Sequence, residues 1–247
     1  MDTNELDAQR GAYREGFPFY QESELMLDWY AGRIVRALAA RGVRSLVSLG
    51  IGQRIVGPRI LRDSLPVLDA YYIVEGSGDA IEEFRRGVKV PPLVRLEHAF
   101  FEDYEPPELV DAVEMGFVLE HVEDPAFILR RYSRFLKPGG VALVAVPNAR
   151  SLHRLVGEAA GLLDDVYRLS PEDLQYGHKR YFDLNSLTET IAGAGYRVEV
   201  AEGIFLKPVT TGQFAALALA PKVVDAFFRV GADYPAIANA IYVEAAI

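Results

Sequence analysis

No cysteine occurs anywhere in this 247-residue chain. Disulfides, thiolate metal sites and a cysteine nucleophile are excluded together. No apolar run approaches the ~20 residues that span a bilayer. The opening Met1-Asp2-Thr3-Asn4-Glu5 is acidic and polar, unlike a secretory signal. These absences predict a cytoplasmic protein with no membrane partner. Basic charge is also short: 26 Lys and Arg stand against 35 Asp and Glu, a formal charge of −9. The basic residues come singly or in pairs such as Arg85-Arg86, Arg130-Arg131 and Lys179-Arg180. A nucleic-acid partner needs a basic stripe to neutralise phosphate, so a small-molecule partner is predicted instead. Internal repeats and low-complexity tracts are lacking as well, which leaves one domain as the economical reading of residues 1–247.

Half of the residues are hydrophobic, enough for one sizeable core. Residues 22–41 carry Met26, Trp29, Tyr30, Ile34, Ala37 and Leu38 near helical spacing, with Gly42 placed to end the helix. Short apolar runs at 45–49, 70–74, 93–96, 111–117, 141–146, 196–200 and 241–245 read as strands. Asp124 is placed to cap a helix with Pro125 at its first position and Phe127, Ile128, Tyr132, Phe135 and Leu136 on its apolar face. Another helix is predicted over 184–194. The segment Leu136-Lys137-Pro138-Gly139-Gly140 reads as a glycine turn into the fully apolar strand that follows. Strands alternating with helices predict an α/β, doubly wound, mostly parallel seven-stranded sheet. An N-terminal helical segment (1–42) precedes it, and 149–182 and 203–235 are too long for ordinary connections and read as cap insertions. Ligands in such sheets bind outside the carboxyl ends of the strands.

The pieces LEHVEDP (119–125) and LKPGG (136–140) resemble the segments that flank the fourth and fifth strands of class I S-adenosylmethionine (SAM)-dependent methyltransferases. Leu46-Val47-Ser48-Leu49-Gly50-Ile51-Gly52-Gln53 stands where that family's first motif, commonly VLDLGCGxG, is found. Gly50 and Gly52 are kept, Ser48 replaces the frequent acid, and Arg54 stands where a third glycine is common. Segments 147–154 (PNARSLHR) and 177–181 (GHKRY), with Gly203-Ile204-Phe205-Leu206-Lys207-Pro208, resemble a narrower subgroup of small-molecule methyltransferases, often associated with sugars or specialised metabolites. The resemblance covers residues 44–208 and the closing strand, and it implies a Rossmann-like methyltransferase fold, SAM as cofactor and S-adenosylhomocysteine as product.

Glycine at 50 and 52 permits a tight turn and close approach of backbone to ligand. Glu75 ends the second strand about 20 residues on, where dinucleotide folds place a carboxylate for ribose hydroxyls; the resemblance gives it the SAM ribose. Phe101 and Glu102 follow the third strand and are expected near adenine. Glu120 and Tyr20 complete the expected cofactor set, and Tyr13, Phe17, Phe19 and Tyr20 form an aromatic group able to fold over the cofactor. NAD fits less well, since position 55 is Ile and the GxGxxG fingerprint is incomplete.

At the acceptor end, imidazole titrates in the useful range, and His178, His153 and His121, in that order, are the candidate bases. Asn148, Arg154, Arg180 and Tyr181 are the expected substrate-binding residues, the arginines because guanidinium makes bidentate contacts to anions. Some relatives bind a divalent ion through an ExxEH arrangement, but Phe117 occupies the first acidic position, so no metal is expected. The expected activity is methylation of an oxygen or nitrogen on a small, anionic metabolite or nucleotide-sugar. The alternatives are carbon methylation of a quinol-like ring and a catalytically inactive SAM-fold binding protein. A homodimer is left open, the apolar tail 223–247 serving either sheet or dimer contact.

Overall fold

The computed structural model describes Leu6 and residues 20–247; Tyr13, Phe17 and Phe19 lie outside the described residues. The apolar runs become strands β1 (Ser45–Leu49), β2 (Ala70–Glu75), β3 (Val94–His98), β4 (Val110–Gly116), β5 (Leu136–Pro147), β6 (Arg197–Ile204) and β7 (Ala240–Ala246). They form one seven-stranded sheet in the order β3-β2-β1-β4-β5-β7-β6. Strands β1 to β5 run parallel, and β7 is antiparallel to both of its neighbours. The order reverses between β1 and β4, which opens a crevice at their carboxyl ends.

Period-two alternation sends successive side chains to opposite faces. Leu46, Ala112 and Leu143 pack with Tyr30, Ile34 and Leu38 of α1 (Tyr20–Ala40), Ile60 of α2 (Val56–Asp63) and Phe84 of α3 (Gly78–Gly87). Val47, Val113 and Val144 pack on the other face with Ile128 and Tyr132 of α4 (Pro125–Ser133). Asp124 caps α4 as its sequence predicts, accepting from the Phe127 amide at 2.9 Å with Pro125 in the first turn. The first cap carries α5 (Leu152–Ala159) and α6 (Pro171–Gln175). After α7 (Leu184–Gly193) and β6, the second carries α8 (Thr211–Ala216) and α9 (Pro221–Ala232). Strand β6 runs past the predicted end at 200 to Ile204, because its ladder with β7 continues that far. Among the described residues no helix is long and apolar enough to cross a membrane.

The LKPGG segment is not a separate turn. It is the irregular start of β5, where Val110 pairs with Leu136 and Ala112 with Val141, the extra residues bulging out between them. Gly139 takes φ +78°, and a Cβ on Gly140 would sit 2.8 Å from the Lys137 carbonyl, so both glycines are needed. The bulge delivers Lys137 Nζ to Asp111 Oδ1 at 2.8 Å. Asp111 also accepts from the amides of Arg44 and Ser45 and from Ser45 Oγ. Burial alone would raise its pKa, but these donors outweigh it and hold the carboxyl down at about 2. Its stabilisation is present above the unfolded carboxylate range and is lost as pH falls through the depressed value. Asp111→Asn is expected to lower unfolding free energy at pH 7 by about 1–3 kcal/mol, read by urea denaturation, with a smaller difference near pH 2.5.

Candidate active site

A cavity of about 620 Å³ opens over the carboxyl ends of β1, β2, β4 and β5, within the range of small-ligand sites. Its first wall is the loop after β1. Gly50 and Gly52 have φ +85° and +53°, and Arg54 adopts +59°. The arginine therefore keeps the left-handed backbone that a third glycine would supply, at some strain for a side-chain-bearing residue. Glu75 spans the loop and its own turn: Oε2 accepts from the Ile51 amide at 3.0 Å and Oε1 from the Ser77 amide at 2.8 Å. Phe101 lines the same end, its ring 3.8 Å from where a Gly50 Cβ would lie. Tyr20 and Glu120 also line the cavity.

Glu102 does not. The amides of Asp103 and Tyr104 both donate to the Phe100 carbonyl, and this tight turn takes Glu102 off the cavity wall while Phe101 stays on it.

The acceptor end is built where β4 ends. Phe117 has φ +58°, uncommon for an aromatic residue, with its amide tied to the Ala145 carbonyl at 2.7 Å. Beyond that turn Glu120 enters the wall at 1 % exposure with both carboxylate oxygens unpartnered. Burial pushes its pKa up to about 7, partly opposed by His178. The His121 ring meets the His178 ring edge-on at 4.8 Å.

The three histidines differ in their surroundings. Burial, then the neighbouring His178, push His121 down to about 3; burial, then Lys207 and Arg154, do the same to His153. Both rings line the cavity, and their burial disfavours the protonated form, which makes them weaker candidates for the base than His178. His178 is placed otherwise. Its Nδ1 lies 3.3 Å from Asp173 Oδ1, near enough for charge pairing though not aligned as a full hydrogen bond. Burial would raise the Asp173 pKa, but the His178 ring and the Ser170 amide and hydroxyl outweigh it and hold the carboxyl below its usual range. The carboxylate is fixed further by the Tyr181 hydroxyl, which donates at 3.0 Å, and by the capping box of α6.

The expected substrate-binding residues have other work. Arg154 lines the cavity, but Nε donates to the Val166 carbonyl, Nη2 to the Arg168 carbonyl and Nη1 to Tyr181, over whose ring the guanidinium lies at 4.4 Å. It pins the first cap rather than presenting free donors. Arg180 is not among the lining residues, and its Nη2 donates to the Glu123 carbonyl. Asn148 is 1 % exposed, its amide donating to the carbonyls of Pro235, Ala236 and Ala238 while its oxygen accepts from the Arg150 amide. Arg154 and Asn148 both line the cavity with their donors committed to carbonyls and Tyr181, Tyr181 lines it too, and Arg180 stands off the wall.

Two features escaped the sequence reading. Glu114, 3 % exposed, lines the cavity from within β4. Lys207 is buried in the wall with Nζ on both Glu22 oxygens (2.7 and 2.9 Å) and on Thr211 Oγ1 (2.8 Å). Each stands as a lone charge in an apolar stretch, AVEMG and GIFLKP, which is the available signal. The fold also brings His178 beside Glu120 and His121, placing three donor groups within 4.8 Å of one another.

A Rossmann-like sheet with a glycine turn, a carboxylate at the end of β2 and a cavity over β4 and β5 defines an α/β protein with the architecture of nucleotide-cofactor folds. Comparison with known proteins agrees. Residues 27–200 match the family model described as a methyltransferase domain, and the chain belongs to that family. It is similar to a ubiquinone biosynthesis O-methyltransferase of Aeromonas salmonicida (strain A449), 23 % identical over 199 residues, covering 78 % of each chain. A SAM-dependent methyltransferase from Mesorhizobium loti superposes with TM-score 0.60 at 17 % identity, covering 94 % of this chain and 99 % of that one. The N-methyltransferase NodS from Bradyrhizobium japonicum WM9, in complex with S-adenosylhomocysteine, gives 0.57 at 11 % identity over 99 % and 98 % of the two chains. The chain is a member of the methyltransferase-domain family and has the fold of SAM-dependent methyltransferases.

Proposed function

We propose that this enzyme transfers the methyl group of SAM to a hydroxyl or amine of a small polar metabolite, with His178 accepting the proton. One observation carries the reading: the Asp173–His178 pair and the unpartnered Glu120 carboxylate face the same cavity as Glu75 and the glycine loop. The cavity fits the cofactor. Open backbone at Gly50 and Gly52, the Glu75 carboxylate and the Phe101 ring suit a nucleoside. Glu75, Glu114 and Glu120, three of the lining carboxyl groups, suit a molecule with positive charge.

SAM supplies an electrophilic methyl group; the protein has only to position, exclude water and manage a proton. Glu75, Gly50, Gly52 and Phe101 would hold the adenosine half. His178 removes the proton from an acceptor hydroxyl, and Asp173 orients the ring and stabilises the imidazolium that results. Glu120 has two free acceptor oxygens for a second hydroxyl or an amine N–H. Arg154 is engaged and Arg180 is off the wall, while Arg54 and Lys207 also line it, so anionic and neutral acceptors both enter the test. Met26, Leu27, Leu162 and Leu163 supply apolar lining for a carbon skeleton. Of the three relatives, one is named as an O-methyltransferase and one as an N-methyltransferase, so both acceptor types enter the test.

That test is transfer of labelled methyl from SAM into a panel of alcohols, phenols, sugars and amines, each with and without EDTA. Labelled hydroxyl or amine products that persist in EDTA are expected. Activity lost to EDTA and restored by a divalent ion would make Glu120, His121 and His178 a metal site. Absence of transfer to any acceptor by protein that binds SAM would favour a binding role.

A further inference from the structure

Glu114 is an unusual residue in its setting. It lies in the middle sheet strand, 3 % exposed, and reaches the cavity wall. Its Oε1 accepts from the Tyr30 hydroxyl and from the Gly116 amide, each at 2.7 Å. Glycine makes the room: a Cβ on residue 116 would fall 2.6 Å from that oxygen and 2.3 Å from the Tyr30 ring. In the β1–β4 ladder Glu114 is the partner of Ser48, the residue that stands where the first motif frequently has an acid. The carboxylate missing from β1 is thus supplied by the adjoining strand, on the same face.

The groups acting on Glu114 come from each element packed against it. They are Tyr30 of α1, Ser48 of β1, and Tyr71 of β2, whose hydroxyl contacts Ser48 Oγ at 3.1 Å; Tyr242 of β7 stands behind Tyr30. None is basic. Burial raises both the Tyr30 and Tyr71 phenols above their ordinary value, so they remain neutral donors. Any counter-charge for this carboxylate must come from the cavity.

The sheet order says what should lie there. The nucleoside groups, Glu75 and Phe101, follow β2 and β3, whereas Glu120 follows β4 and His178 joins it from the first cap. A cofactor held at Glu75 and Phe101 with its methyl group toward His178 would cross the ends of β1 and β4 with its charged part.

We infer that Glu114 is the anionic anchor for the cationic aminoacyl arm of SAM, taking the place of an acid on β1; this rests on the cofactor reading above. The α-ammonium and the sulfonium share the chemistry that the carboxylate would recognise. Burial alone, opposed by the hydrogen bonds from Tyr30, Gly116 and Ser48, leaves the free carboxyl with a pKa of about 7. A bound cation favours its ionised form, so SAM binding releases a proton below neutral pH.

The test is calorimetric titration of wild type and Glu114→Gln at pH 6.5, in two buffers of different ionisation enthalpy. The ligands are SAM, S-adenosylhomocysteine and 5′-methylthioadenosine, which lacks both charges. Glu114→Gln is expected to weaken SAM by about 30-fold or more, abolish its proton release and leave methylthioadenosine unchanged. Equal weakening of S-adenosylhomocysteine would identify the ammonium as the anchored group, and weakening of SAM alone the sulfonium. Unchanged SAM affinity, equal loss of all three ligands, or wild-type binding without proton release would overturn the inference. Wild type that binds none of them would sink the cofactor reading first.

Discussion

Glu75→Ala will lose about two orders of magnitude in SAM affinity, roughly 3 kcal/mol for two charge-assisted hydrogen bonds. The loss should apply equally to S-adenosylhomocysteine, because the ribose is common to both. The structure also assigns Glu75 a second task, since the same carboxylate ties the Ile51 amide to the Ser77 turn. The variant therefore removes a ligand contact and slackens the glycine loop together. Glu75→Gln separates them: one acceptor oxygen survives, so an intermediate loss is expected. Calorimetry reads the affinity, and a thermal melt confirms that the variant is folded. Unchanged affinity in a folded Glu75→Ala protein would refute the cofactor map.

The second large effect is on turnover. His178→Ala is expected to lower kcat by about 10²–10⁴-fold on an alcohol, the usual size of a positioned base, while SAM affinity stays put. The penalty should shrink as the acceptor becomes more acidic, since an ionised oxygen needs no base. A series of phenols of graded acidity measures this directly. Asp173→Asn should follow the same trend more weakly, because it leaves the imidazole in place but removes the charge 3.3 Å from Nδ1. Full activity of His178→Ala on an unactivated alcohol would remove His178 from the reaction and leave Glu120 as the nearest free acceptor.

The fold was legible because its signals are local. Seven apolar runs, a cap at Asp124-Pro125 and a carboxylate about 20 residues past a glycine pair are readable without knowing what packs where. LKPGG misled for a physical reason: a bulge and a turn both need glycine at positive φ, and only pairing with Val110 tells them apart. At the site, residue types could be read but not their commitments. Arg154 looked like an anion receptor, and its donors are taken by carbonyls 12 and 14 residues further on. His121, His153 and His178 look alike as letters; what separates His178 is the Asp173 carboxylate 3.3 Å from its Nδ1. The roles of Glu114 and Lys207 were not legible because a charge in an apolar run reads as a solvated group until the partner appears, 84 and 185 residues away.

The Lys207–Glu22 bridge limits how this enzyme can be re-engineered. It joins the first turn of α1 to the start of the second cap, with Asn239 Nδ2 adding a third tie to Glu22 at 3.1 Å. Acceptor range in such a scaffold is naturally sought by exchanging the cap for that of a relative. Here the cap is not an independent cassette. A grafted segment without the lysine would strand a carboxylate in the cavity wall, so α1 and the second cap must be inherited as one unit.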